Sequence, residues 1–130
     1  GLPGHLTFTG DEAVEDPLIM DERCLSFRVK GRGTTVLSAC SHAGIVNACL
    51  EAADTHEVAP MDLVLGGFHL AGASVEDRIE ATVRDLDERV GVAFVAPGHC
   101  TGWRAKAALA DRFAGGRFAP SAVGARYVLA

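Results

Sequence analysis

The 130-residue chain has no basic run, no long apolar run, no Cys-x-x-Cys pair, no internal repeat and no low-complexity tract. Each absence closes a class of function. Without a basic run, and with 17 Asp+Glu against 12 Lys+Arg, the chain lacks the electrostatic footprint of a nucleic-acid binder. An anionic small molecule stays open as a ligand, because a local site can oppose the net charge of -5. The longest apolar stretches are a few residues, far short of the roughly 20 that span a bilayer, so no membrane segment is expected. The opening residues Gly1-Leu2-Pro3-Gly4 show neither the basic start nor the apolar core of a secretory signal. The cysteines at 24, 40, 49 and 100 form no dense framework and are expected as free thiols, mostly buried. With the acidic balance, this places the chain in the cytoplasm by default.

What remains is the composition of a folded domain, 48% hydrophobic and 22% charged. That apolar content excludes disorder as the main state. The length suits one domain or a piece of one. Residues 1–23 carry an acidic cluster and no clear period, and read as an irregular lead-in. Glu12, Glu15, Asp16 and Asp21 are expected in solvent there. Cys24 to Val29 alternates apolar and polar, Gly31 and Gly33 mark a turn, and residues 34–38 form a second strand, which together predict a β-hairpin. Ile45, Cys49 and Ala52 share a helical face that Pro60 ends. Residues 63–65 read as a short buried strand. A helix is predicted from an N-cap at Ser74, with Asp77 three residues on, to about residue 89. A strand follows at 92–95, a helix at 103–114 and an edge strand at 126–129. Strands alternating with helices mean an α/β layered fold.

Three histidines share one kind of address in this pattern. His42, His69 and His99 each follow a predicted strand, in the settings Ser41-His42-Ala43-Gly44, Gly66-Gly67-Phe68-His69 and Pro97-Gly98-His99-Cys100-Thr101-Gly102. Ligands of open α/β sheets bind outside the carboxyl ends of the strands. If these strands run parallel, the three imidazoles line one rim. Glycines allow the sharp turns and close approach such a site needs. Imidazole is a common zinc and iron ligand, and binds as the neutral base. One histidine at a strand end is more often structural than functional; three with matched surroundings favour a site. His5 and His56 read as surface residues. Cys40 and Cys100 flank the site loops; they could be ligands, but packing or orienting the ligands is the favoured assignment.

At these residues the sequence resembles the metallo-β-lactamase-fold superfamily of metallo-hydrolases. It is most similar to the branch that includes 7,8-dihydropterin-6-methyl-4-(β-D-ribofuranosyl)aminobenzene-5′-phosphate synthase. The matching blocks are residues 38–47, 65–70 and 97–102. The resemblance implies the C-terminal half of an αββα sandwich, as a single partial domain over residues 1–130. It implies His42 and His99 as metal ligands, and His69 as the candidate catalytic residue, either ligand or substrate contact. The implied cofactor is a divalent metal, zinc first, with iron or manganese as alternatives. Ser41, Asn47 and Thr101 are candidate hydrogen-bond donors to a small, phosphorylated substrate. The superfamily's HxHxDH motif is absent, and no His-x-His occurs in the chain. With no initiating Met, the chain reads as part of a longer frame, inactive by itself because a catalytic zinc wants three protein ligands. Two other readings stand beside this one. A non-catalytic half-domain would bind a partner or pair as a homodimer through an apolar sheet face. A plain α/β domain would use its histidines structurally.

Overall fold

The computed structural model describes residues 4–57 and 60–129. Its first element corrects the expectation of an irregular lead-in. β1 (Leu6–Thr9) and β2 (Glu12–Glu15) pair antiparallel across a two-residue turn at Gly10-Asp11. Both strands are almost wholly exposed, and the apolar–polar alternation Leu6-Thr7-Phe8-Thr9 of β1 buries no face. The hairpin is tied off where the Asp16 N–H donates to the His5 carbonyl at 2.8 Å. Asp16 is not in solvent: it is 6% exposed and its carboxylate accepts the Met20 N–H at 2.7 Å. An aspartate holding the turn that follows it is a frequent local device.

The main sheet has the order β3-β4-β5-β6, with β3 (Cys24–Val29), β4 (Gly33–Ser38), β5 (Met61–Gly66) and β6 (Phe94–Pro97). β3 and β4 form the predicted antiparallel hairpin, while β4, β5 and β6 run parallel. α1 (Ile45–Thr55) and α3 (Trp103–Arg112) follow β4 and β6. The parallel register aligns Val36, Val64 and Val95, and all three belong to the core with Ile45, Cys49, Leu86, Leu109 and Phe113. Side chains alternate across a strand, so the neighbouring row carries Leu37 and Leu65, which are only half-buried, beside Leu25 at 59% exposure. The exposed apolar face expected from the sequence is open only toward β3, since Leu63 and Ala96 on the same face are 4 and 0% exposed.

Between β5 and β6 the chain tightens and then widens. A 3-10 turn at Glu76–Arg78 leads into α2 (Ile79–Arg84), and Asp85–Arg89 closes in a π turn. Ser74 does not cap this segment. The Gly72 carbonyl instead takes the N–H groups of Val75 and Glu76 at 3.0 and 3.1 Å. The last strand of the sequence reading is also displaced. Residues 126–129 form no ladder; residues 117–121 lie along β6, with Val95 N–H to the Arg117 carbonyl at 2.9 Å and Ala119 N–H to the Val95 carbonyl at 3.1 Å. Phe118 packs against the core from this segment, which supplies the burial that 126–129 lacks. All four cysteines are free, yet only Cys49 is buried. Among the described residues no helix is long and apolar enough to cross a membrane.

Candidate metal centre

The parallel register decides where the histidines fall. Ser38, Gly66 and Pro97 are aligned across β4, β5 and β6, so these strands end together. His42, His69 and His99 leave that common edge four, three and two residues later. Their loops are stitched to one another. The Gly98 N–H donates to the Gly66 carbonyl at 2.6 Å, and the Leu70 and Ala71 N–H groups share the Cys100 carbonyl at 3.1 and 3.2 Å. Two non-glycine residues in these loops are left-handed, Ser41 at φ +61° and His69 at φ +46°. Each such conformation costs on the order of 1 kcal/mol or more, and persists only where its surroundings impose it.

Glycine is required at the centre of the rim. A Cβ on Gly67 would lie 2.6 Å from Cys100 Sγ and 2.7 Å from His99 Cε1. The missing side chain is therefore the space that His99 and Cys100 occupy. His42 meets His69 edge to face, with ring centroids 4.5 Å apart, and the His5 ring lies 6.0 Å from His42. His69 Nδ1 is 3.4 Å from Cys40 Sγ. Burial lowers the His69 pKa, and the neighbouring His42 and His99 lower it further, against an opposing pull from Glu22. His69 is thus held as a neutral base with a lone pair to give. Burial and a hydrogen bond to Cys100 raise the Cys40 thiol to about 12.

Two clusters among the described residues bring three metal-capable atoms within 4.8 Å of one another: Cys40, His69 and Cys100, and separately His5, Asp16 and Asp21. Neither includes His42 or His99. Both of those stand on the same rim, His42 half-buried and His99 exposed. Of the expected substrate contacts, Ser41 is 3% exposed; its hydroxyl donates to the Gly67 carbonyl at 2.6 Å and so accepts from Ser38 Oγ at 2.6 Å. Thr101 is fully buried and accepts the Phe68 N–H at 3.2 Å. Asn47 is exposed and closes its own loop, donating to the Ala43 carbonyl at 2.7 Å. The structure thus places all three where they hold the loops.

Sequence reasoning passed over His5 and Arg78, and gave Cys40 and Cys100 a packing or orienting role. His5 was assigned to the surface, yet its Nε2 sits 3.0 Å from Asp21 beside the His42 ring, where the β1–β2 hairpin brings it. Cys40 and Cys100 each stand within two positions of a site histidine, a signal the sequence did carry. Arg78 borders a narrow cleft with His42 and His69. His56, by contrast, lies on the other side of β4, with Nε2 3.1 Å from Ser26 Oγ.

No family model matches the chain. Over 85 residues it is 35% identical to 7,8-dihydropterin-6-methyl-4-(β-D-ribofuranosyl)aminobenzene-5′-phosphate synthase of Methanocaldococcus jannaschii, a match covering 65% of this chain and 28% of the synthase. Its structure is similar to the crystal structure of a metal-dependent hydrolase of the β-lactamase superfamily, at a TM-score of 0.82 and 35% identity. That match covers 95% of this chain and 46% of the hydrolase. The chain therefore spans less than half the length of either relative. Both matches bear out the resemblance to the metallo-β-lactamase superfamily and to its dihydropterin synthase-like branch, and the α/β architecture is that of a metallo-β-lactamase-type fold.

Proposed function

We propose that this chain, whose fold is of the metallo-β-lactamase type, carries part of the metal centre of a hydrolase-like enzyme. Its reaction would be hydrolysis or leaving-group displacement on an ester or phosphoester, with a small phosphorylated molecule of pterin type as the candidate substrate. One observation carries the reading: three imidazoles issue from one edge of the parallel sheet because Ser38, Gly66 and Pro97 are in register.

The residues present fit a divalent metal. Gly67 leaves room for the His99 ring, and His69 is kept neutral by burial and by its two histidine neighbours. His42 and His99 would hold the ion through neutral nitrogens, a donor type that suits zinc, and iron as well. When bound, such a metal acts as a Lewis acid on a substrate oxygen. His69, in edge contact with His42, would contact either the ion or the substrate. Ser41 and Thr101 act as positioning residues, since their hydroxyls fix Gly67 and Phe68 in the loop that ends at His69. Arg78, on the cleft beside His42 and His69, would face an anionic substrate group. The N-termini of α1 and α3 open behind the His42 and His99 loops with no acidic residue in their first turns, which also favours an anion.

The test is metal content after dialysis against zinc. Wild type should retain zinc, and His42→Ala and His99→Ala should each retain less while keeping the wild-type circular dichroism. Equal zinc in all three would mean the rim histidines are structural. A half-domain that pairs with a second copy is favoured by a different observation. Leu25, Phe8, Leu18 and Met20 are 59, 74, 75 and 72% exposed. Light scattering at rising concentration would show a dimer under that reading; a constant monomer mass would remove it.

A further inference from the structure

We propose that Cys40, His69 and Cys100 form a metal site of their own, distinct from the His42 and His99 pair, that takes a borderline or soft divalent ion such as zinc. The inference rests on the geometry of these three side chains and holds whether or not the chain hydrolyses an ester.

The ligands come from three loops far apart in sequence, and nothing local brings them together. Cys40 Sγ lies 3.0 Å from Cys100 Sγ and 3.4 Å from His69 Nδ1, and the three atoms all lie within 4.8 Å of one another. Zinc–sulfur bonds of about 2.3 Å and zinc–nitrogen bonds of about 2.0–2.1 Å give a tetrahedral ion ligand-to-ligand edges of about 3.5–3.8 Å. The sulfur–nitrogen edge is already nearly that length, and the sulfur pair needs to open by less than about 1 Å. Cys40, His69 and Cys100 are each half-buried, so an ion could enter without unfolding the rim.

At Cys100 a backbone donor is placed for a thiolate. The His69 N–H points at Cys100 Sγ at 3.2 Å, a donor that remains in place when the sulfur loses its proton. Hydrogen bonds of this kind orient ligands and tune their basicity. That bond also helps to hold His69 in its left-handed conformation, at φ +46°. Two thiolates and a neutral imidazole cancel the charge of a divalent ion, which lowers the cost of burying it. Three protein ligands would leave a fourth position for water or substrate, as catalytic zinc sites do. Gly67 makes the arrangement possible, since a Cβ there would lie 2.6 Å from Cys100 Sγ. A Cys40–Cys100 disulfide is the competing use of the same sulfurs, and it would need an oxidant.

The test loads the reduced chain with cobalt(II), then with zinc. Wild type should bind cobalt with a thiolate-to-metal charge-transfer absorption, and the His42→Ala/His99→Ala variant should keep that absorption. Cys40→Ser/Cys100→Ser should lose it, and should bind zinc more weakly by over the roughly 10–100-fold that losing a ligand's hydrogen-bond partner costs. X-ray absorption on the zinc-loaded wild type decides the matter even if the serine variant fails to fold, and should show sulfur at about 2.3 Å. A shell of nitrogen and oxygen alone would overturn the proposal. So would a chain that, purified under reducing conditions, is lighter by two hydrogens and takes up no metal, because the sulfurs would then be a disulfide.

Discussion

Two sets of titratable side chains in this molecule differ in how their charges are answered. Beside the helical layer, Asp87 receives Arg112 Nε at 2.6 Å and Arg117 Nη2 at 2.8 Å, and Glu88 receives Arg112 Nη2 at 2.7 Å. Arg32 forks onto Asp62 at 2.8 and 3.1 Å. Each acid there has its base, and the groups close on themselves. At the strand-end rim, three imidazoles and two thiols gather instead, and His42 and His99 push the His69 pKa down rather than satisfying it. The backbone of the rim is strained at Ser41 and His69. A cluster of lone pairs held by a strained scaffold is what a site for an electrophile requires. A closed ionic network stabilises and binds nothing further.

The comparison predicts that stability and metal binding separate between the two regions. The largest effect belongs to the core under the helices. Phe113→Ala, at a fully buried position, should destabilise by about 3–5 kcal/mol in urea unfolding, in line with other buried aromatic truncations. Metal content of the folded fraction should stay at the wild-type value; a parallel loss would mean that the rim depends on that layer. Next is Gly67→Ala, whose new methyl meets Cys100 and His99. Overpacking of this kind costs about 1–3 kcal/mol, and the variant should retain less metal than its stability loss explains. Full metal retention would show that neither side chain is a ligand.

A smaller effect, with a pH signature, is expected for Asp87→Asn. Arg117 and Arg112 hold the Asp87 pKa below its ordinary value in the folded chain. A depressed carboxylate adds stability above its unfolded pKa and loses it as pH falls through the folded one. The urea midpoint of the variant should therefore lie below wild type at pH 7, and the gap should narrow as pH drops below about 4. A gap that is constant with pH would assign the effect to packing. The smallest effect is a gain. Thr35 Oγ1 is buried without a hydrogen-bond partner, so Thr35→Val should leave metal content unchanged and stabilise by up to about 1 kcal/mol. A loss of stability would mean that a buried water completes the hydroxyl.

Much of this was legible beforehand for a local reason. The hairpin of residues 24–38 declares itself through alternation and glycines, and each strand-to-loop boundary at the site carries its own punctuation, as in Gly66-Gly67 and Pro97-Gly98. The β1–β2 hairpin was missed although Leu6-Thr7-Phe8-Thr9 alternates before Gly10-Asp11, because that alternation is only four residues long, is not repeated in β2 and faces water rather than a core. The C-terminal segment was misplaced by eight to nine residues, since the backbone of 117–121 pairs with β6 through groups common to every residue type.

The chain's sequence by itself determined the α/β order, the three histidine addresses and the glycines that let the loops turn, because those follow from short-range sterics and periodicity. Tertiary structure alone decided that Ser38, Gly66 and Pro97 end in register, and so that Cys40 and Cys100, sixty residues apart, come within 3.0 Å. It also turned Ser41 and Thr101 inward and carried His5 to the rim. Strand register is set by burial across the whole sheet, and a contact between distant loops has no counterpart in the residues that flank either one.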